Sequence, residues 1–336
     1  MGFSSQAGQV ILRTQPTPGT LAPDLATAGV GMKLKSGSLA ANRDLLIPDP
    51  EIGGGRDVVD AYMGAVSFSG DYEFYPRLES LATILRAALG TATSNTVTGV
   101  TTHTISPSDA AQLPVLSIEE EIGNGLEVFN YTDAVVNTFH LEAEANGYLS
   151  GTAGLIAKRQ VAGATVTADP DWDNSPLIVG TNITIKYNGV TIPAKSFSFD
   201  VNNNFEDDDF RLGSFFLGDL TPKRREVTAQ VAIRHDGAAL WRQATYGQAA
   251  ATTPGGLVTK QPLVLSMKTY EIIDGSTPPT VSSLDVTIGK AVLKPFAFSP
   301  SGDDVLENDI DIQGIRPDPG VPILSAVLVS GREDIA

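Results

Sequence analysis

Three aspartates at alternate positions, Asp169, Asp171 and Asp173, begin as a calcium-binding loop begins, with carboxylates spaced to converge on one cation. The pattern then fails. Asn174 stands where the sharp turn needs glycine, and Gly180 where the bidentate glutamate belongs, so a solvated linker is the expectation. Gly53-Gly54-Gly55-Arg56 could cradle a phosphate, but it lacks the following Lys-Ser/Thr and the strand–turn–helix setting, and reads as a flexible loop. Glu119-Glu120-Glu121 and Asp207-Asp208-Asp209 could supply a glycosidase's carboxylate pair, which requires one member in an apolar pocket. Adjacent like charges favour water instead. His103, His140 and His235 are far apart and accompany neither H-E-x-x-H nor G-x-S-x-G. Lys223-Arg224-Arg225, the tight basic cluster, suits an acidic neighbour better than a nucleic acid. The residues therefore predict no enzyme, no cofactor and no metal.

Composition narrows the classes further. The 336 residues carry 23 Lys+Arg against 39 Asp+Glu, a formal charge of −16, which opposes binding through phosphate contacts. Absence of cysteine removes disulfides, thiol nucleophiles and thiolate metal sites. No apolar run reaches the roughly 20 residues of a spanning helix, and Met1 to Gln6 lacks the basic start and apolar core of a secretory signal. A soluble chain with no membrane partner is expected.

Most of the chain alternates apolar and polar residues, the period of half-buried strands. Examples are Phe139/Leu141/Ala143, Val227/Ala229/Val231/Ile233, Leu284/Val286/Ile288 and Ile310/Ile312. Asn188-Gly189 predicts a tight hairpin joining Ile183/Ile185/Tyr187 to Phe197/Phe199/Val201, with Pro193 disturbing the return strand. Two segments have helical spacing instead. One runs from Pro76 to Leu89 and ends at Gly90; the other is capped by Asp236 and ends at Gly247. The order hairpin, long loop, strand, helix, strands occurs twice, with the long loops at 47–64 and 202–225. A unit seen twice predicts a duplicated domain rather than a solenoid.

Several stretches together resemble the major tail (tail tube) proteins of long, non-contractile-tailed bacteriophages, the siphophages. They are Gly64 to Gly70 running through Phe74 into Leu81–Gly90, then Phe129 to Phe139, in which Asp133 replaces the family's usual glycine. Asn202 to Phe205 with Arg211 to Ser214, and Pro295-Phe296 through Asn308 to Ile312, complete the match. The resemblance implies a mainly β protein of two tandem tail-tube-type β-sandwich or barrel domains, each flanked by one α-helix. The boundaries expected are an arm at 1–30, domains at 31–161 and 181–316, a linker at 162–180 and a C-terminal tail at 317–336.

The implied function is structural: the chain self-assembles into stacked rings, forming a negatively lined conduit for DNA. Its partners would be itself and, by resemblance, the tape measure, tail terminator and distal tail proteins. Duplication would let three copies supply six domains, a trimeric ring with pseudo-six-fold symmetry and a formal charge three times −16, whereas a chain carrying one tube domain would form a hexamer. Candidates for the bore are Glu142, Glu144, Asp309 and Asp311, with Glu119 and Glu121 behind them. Candidates for ring-to-ring contact are Lys223, Arg224, Arg225, Asp207, Asp208, Asp209 and Arg56, together with the long loops and the arm through Leu25. The alternative is a two-domain β-sandwich adhesin whose loops bind a glycan.

Overall fold

A computed structural model describes residues 3–274, 276, 278–298, 300 and 305–335. Met1, Gly2 and part of the Pro295-to-Ile312 stretch lie outside the described residues. The protein is mainly β, as its alternation predicts.

The first half contains β1 (Gln9–Thr14), α1 (Leu25–Ala28), β2 (Val30–Met32), β3 (Leu34–Ser36), β4 (Ala40–Leu46), β5 (Tyr62–Phe74) and α2 (Leu78–Leu89). It continues with β6 (Gly90–Val97), β7 (Val100–Pro107), β8 (Leu116–Ile122), β9 (Glu127–Glu144), β10 (Ser150–Ala157) and β11 (Arg159–Ala162). The second half holds β12 (Asp171–Trp172), β13 (Ile183–Tyr187), β14 (Val190–Thr191), β15 (Ala194–Asn202) and β16 (Glu226–Arg234). After these come α3 (Ala239–Tyr246), β17 (Gln261–Ile272), β18 (Val281–Leu293), β19 (Glu307–Ile315) and β20 (Leu324–Ser330).

The pairings follow the same order twice. One layer of the first half runs β4-β5-β10-β9, and its counterpart in the second runs β15-β16-β19-β18. The other layers run β2-β1-β8-β9-β11 and β14-β13-β17-β18-β20. β9 and β18 are long enough to serve both layers of their half. A shared irregularity fixes the correspondence residue by residue. Leu116 pairs with Ala134 and Ile118 with Tyr131; likewise Gln261 pairs with Ala291 and Leu263 with Ile288. In both places one residue opposes two, Ser117 against Thr132 and Asp133 and Pro262 against Gly289 and Lys290, the mark of a β-bulge. Asp133 lies inside the first bulge at φ 55, in the left-handed region that favours the glycine expected there.

Ladders continue across the halves. β9 pairs with β15 from Thr138↔Asn202 to Glu144↔Ser196, and β20 pairs with β7. The inward rows Phe139/Val201/Val227, Leu141/Phe199/Ala229/Ile312 and Ala143/Phe197/Val231/Ile310 are buried, so the core passes unbroken from one half to the other. Apolar burial on this scale is the main stabilising term.

α2 is buried on nearly all sides and ends at Gly90, φ 118. α3 closes at Gly247 as its sequence predicts, but begins at Ala239, with no side-chain cap from Asp236. The Asn188-Gly189 turn forms, both residues at positive φ, yet β13 pairs with β17 rather than with β15. Past Pro193 the chain crosses to the other layer, so the expected hairpin extends only through β14.

Three segments expected at the periphery are built into the fold. The 1–30 arm contributes β1, an inner strand between β2 and β8 whose Ile11 and Leu12 are buried. The 317–336 tail contributes β20, with Leu324, Ala326 and Leu328 buried between β18 and β7. The 162–180 linker carries Asp173, which is buried rather than solvated. Its Oδ2 accepts from the Ser80 N–H at 2.7 Å, serving a buried amide of the first turn of α2 that has no partner within the helix, while Oδ1 accepts from the Ser175 N–H and hydroxyl. Asp171 pairs with Arg332 at 3.1 Å, and Arg332 reaches Glu79, whose carboxyl burial raises above its usual range.

Candidate functional site: an acidic sheet face

Joining β9 to β15 makes one continuous antiparallel face of β5, β10, β9, β15, β16 and β19. Ladder partners share a face, and alternate residues point away from the core. One outward row reads Ser150, Glu142, Ser198, Gln230, Asp311. Its neighbours read Thr152, His140, Asp200, Thr228, Gln313 and Glu144, Ser196, Ala232, Asp309. The register thus brings Glu142, Glu144, Asp309 and Asp311, which lie in opposite halves of the sequence, onto one surface. A depression of about 410 Å³ runs along it between Glu142, Glu144, Ser198 and Gln230.

Asp200 belongs to this surface and was missed, although its alternation with Phe199 and Val201 carried the signal. It governs His140, whose Nδ1–H donates to Asp200 Oδ1 at 2.6 Å while Nε2 lies 3.5 Å from Glu142. The hydrogen bond to Asp200 raises the His140 pKa, outweighing the lowering by burial. Such a contact stabilises the fold fully below the unfolded value of about 6.5 and loses its effect as pH rises through the folded value. A histidine titration followed by NMR should place His140 above that reference, with Asp200→Asn lowering the midpoint; an unmoved midpoint would refute the assignment. The remaining charges are partly offset: Gln230 donates to Asp311 at 2.9 Å, Lys294 lies 3.8 Å from Asp311, and Lys195 pairs with Glu307.

Glu119 and Glu121 belong elsewhere. Both side chains are buried inside the protomer, on β8 between β1 and β9. Glu119 accepts from Gln9 and from the Thr167 N–H and hydroxyl, and Glu121 borders a cavity of about 850 Å³ with Lys33 and Lys35. Glu120 is buried as well, accepting from the Leu39 N–H and the Tyr72 hydroxyl; burial raises its pKa. None of the three lies on the sheet face.

The ring-contact candidates divide by their partners. Arg225 is held within the chain, its Nε donating to Asn203 and an Nη to Ser108 O, and burial lowers its pKa. Lys223 faces Glu206 at 3.7 Å. Asp209 is tied to Arg211, which also binds Asp219, in a network that sequence reading missed. Arg224, Asp207, Asp208 and Arg56 are exposed. Among the described residues, no group of three His, Cys, Asp or Glu side chains gathers as a metal set, and no helix is long and apolar enough to cross a membrane.

A family model described as phage tail tube protein matches residues 5–314, nearly the whole chain. The chain belongs to the phage tail tube family. Its expected resemblance and its structural role in the virion tail are thereby established at the level of the family. No curated protein matches the chain.

Proposed function

We propose that the chain assembles with copies of itself into closed rings, stacked as a siphophage tail tube, whose acidic sheet face lines the bore through which DNA leaves. The observation that carries this reading is the internal junction. β9 of the first repeat meets β15 of the second, and each has a counterpart at an open end of the layer. β15 corresponds to β4, since Asn202 pairs with Glu226 as Asn42 pairs with Ser67. The stretch of β9 that holds β15 follows Val136, which corresponds to Leu293 at the end of β18. The junction repeats when β4 of one copy pairs with the chain at and beyond Leu293 of the next. Three copies, each offering two equivalent repeats, then close the ring with six, and closure removes the sheet edges that otherwise invite uncontrolled pairing.

The wall works by offering phosphates little to hold, since Lys294, Lys195 and Lys35 on this face lie beside carboxylates or Ser150. Duplex DNA carries one charge per roughly 1.7 Å, and basic side chains bind it by releasing counterions. Glu142, Glu144, Asp309 and Asp311 make the opposite surface. Reversing all four to Lys should leave tubes intact but make them retain DNA at low salt, with affinity falling steeply as salt rises. A filter-binding titration reads this; reversed tubes that bind no more DNA than the parent would contradict the wall assignment.

Ring stacking is assigned to the exposed loop charges Arg224, Asp207 and Asp208, with Lys223 beside them; Arg56 belongs to the 47–61 loop, whose role is separate. Because Arg225 is engaged within the chain, the informative variant spares it: Lys223→Glu with Arg224→Glu. Negative-stain microscopy should then show isolated rings in place of tubes. Tubes of ordinary length would refute this contact.

A further inference from the structure

The loops 47–61 and 203–225 occupy the same place in the two repeats, each joining corresponding strands of the acidic layer. Only one of them has a seat within the chain. The second leaves its ladder at Asn203, whose amide donates to Ala88 O at 2.9 Å and Val136 O at 3.0 Å, and folds back over the first repeat. There Phe205, Leu217 and Leu220 are buried against Leu113, Val135 and Ile156. Phe216 bridges Val66, with the Arg159 guanidinium over its ring at 5.6 Å. The first loop stands away from the protomer. In it Val58 is 69% and Val59 79% exposed, and at the end of β4 leading into it Leu45 and Leu46 are each 55% exposed, an apolar surface that water does not favour.

The bulge-anchored register locates the missing seat. In the ladders Val135 corresponds to Val292 and Ile156 to Gln313; counting back along the chain from the paired residues matches Leu113 with Val258, and Leu217 in the folded-back loop with Val58. Val258 and its neighbour Leu257 are exposed, and Val292 is only half-buried. An apolar loop without a seat and an equivalent seat without a loop are therefore present on every copy, at opposite ends of the same layer.

We propose that loop 47–61 of one copy lies across the second repeat of the next copy in the same ring, filling the place that 203–225 fills within the chain. The inference rests on the ring reading above and adds to it a named segment, a named seat and a direction. It assigns the loop to closing each ring rather than to joining one ring to another. The occupant of the seat is a second copy of this chain, because the chain itself contains the docked version of the same contact.

The protein lacks cysteine, so introduced thiols are the only ones present. The test is V58C with Q313C, treated with a short bis-maleimide in assembled tubes and run on a denaturing gel. L217C with I156C serves as the within-chain control and should stay at the mass of one chain. Untreated protein is first checked by microscopy; if it forms no tubes, the ring reading fails and this contact fails with it. In tubes, the expected V58C/Q313C product is a covalent oligomer that stops at one ring, three chains on the reading above. A closed product of another size retains the contact and overturns the three-copy count. A ladder extending without limit places the loop between rings, and product confined to single chains removes it from the interface; either result overturns the proposal.

Discussion

Replacing Leu45 and Leu46 together by Glu should leave the protomer folded and abolish assembly. Each side chain is 55% exposed, so neither contributes heavily to the core, and surface changes of this kind move stability by about 0.5 kcal/mol or less. At the junction between copies the balance is different. Burying the exposed half of two leucines contributes roughly 1.5–3 kcal/mol, and forcing two carboxylates into the same contact costs several more. A loss of about 4 kcal/mol per junction corresponds to about a thousandfold in association. Sedimentation should show a single slow species at concentrations where the parent is wholly in tubes, with an unchanged melting curve. Tubes formed at the parent's concentration would show that the hairpin is not at an interface.

Asp173→Ala should produce the largest loss of stability among single substitutions of charged residues. The carboxylate is fully buried and satisfies the Ser80 amide, the Ser175 amide and the Ser175 hydroxyl. Hydrogen bonds to a charged group contribute roughly 1.5–3 kcal/mol each, and the abandoned donors at the start of α2 would have no water to replace it. A cost of about 3–5 kcal/mol is expected, lowering the melting temperature by roughly 5–10 °C. Asp173→Asn, which keeps one acceptor oxygen, should recover part of that loss. A melting temperature within a degree of the parent's would contradict the capping role.

The contrast between these two sites explains what the sequence made legible. Phe139/Leu141/Ala143 against His140/Glu142/Glu144 could be read directly, because a strand's period of two sorts side chains onto faces without knowledge of the partner strand. The same logic extends to Asp309 and Asp311. That these acids share a surface was not readable, since it depends on the ladder between β9 and β15. Asp173 misled for a related reason: its partner Ser80 is 93 residues away, and three alternating aspartates look solvated when read locally. Glu119-Glu120-Glu121 looked equally wet, but Thr167, Tyr72 and Leu39, all remote in sequence, take up two of these carboxylates. β1 was passed over because Val10-Ile11-Leu12 is buried without alternation, as befits an inner strand covered on both faces.

The central claim is that two repeats within one chain reproduce, between copies, the junction they make inside it. A cryo-electron microscopy reconstruction of the assembled tube tests this most directly. Expected are three copies per ring, the main chain of Ala40–Asn42 (the counterpart of Asp200–Asn202) hydrogen-bonded to the neighbour's chain beyond Leu293, and Glu142, Glu144, Asp309 and Asp311 facing the bore. Six copies per ring, an unpaired Ala40–Asn42 stretch, or a bore lined by the opposite face would contradict it.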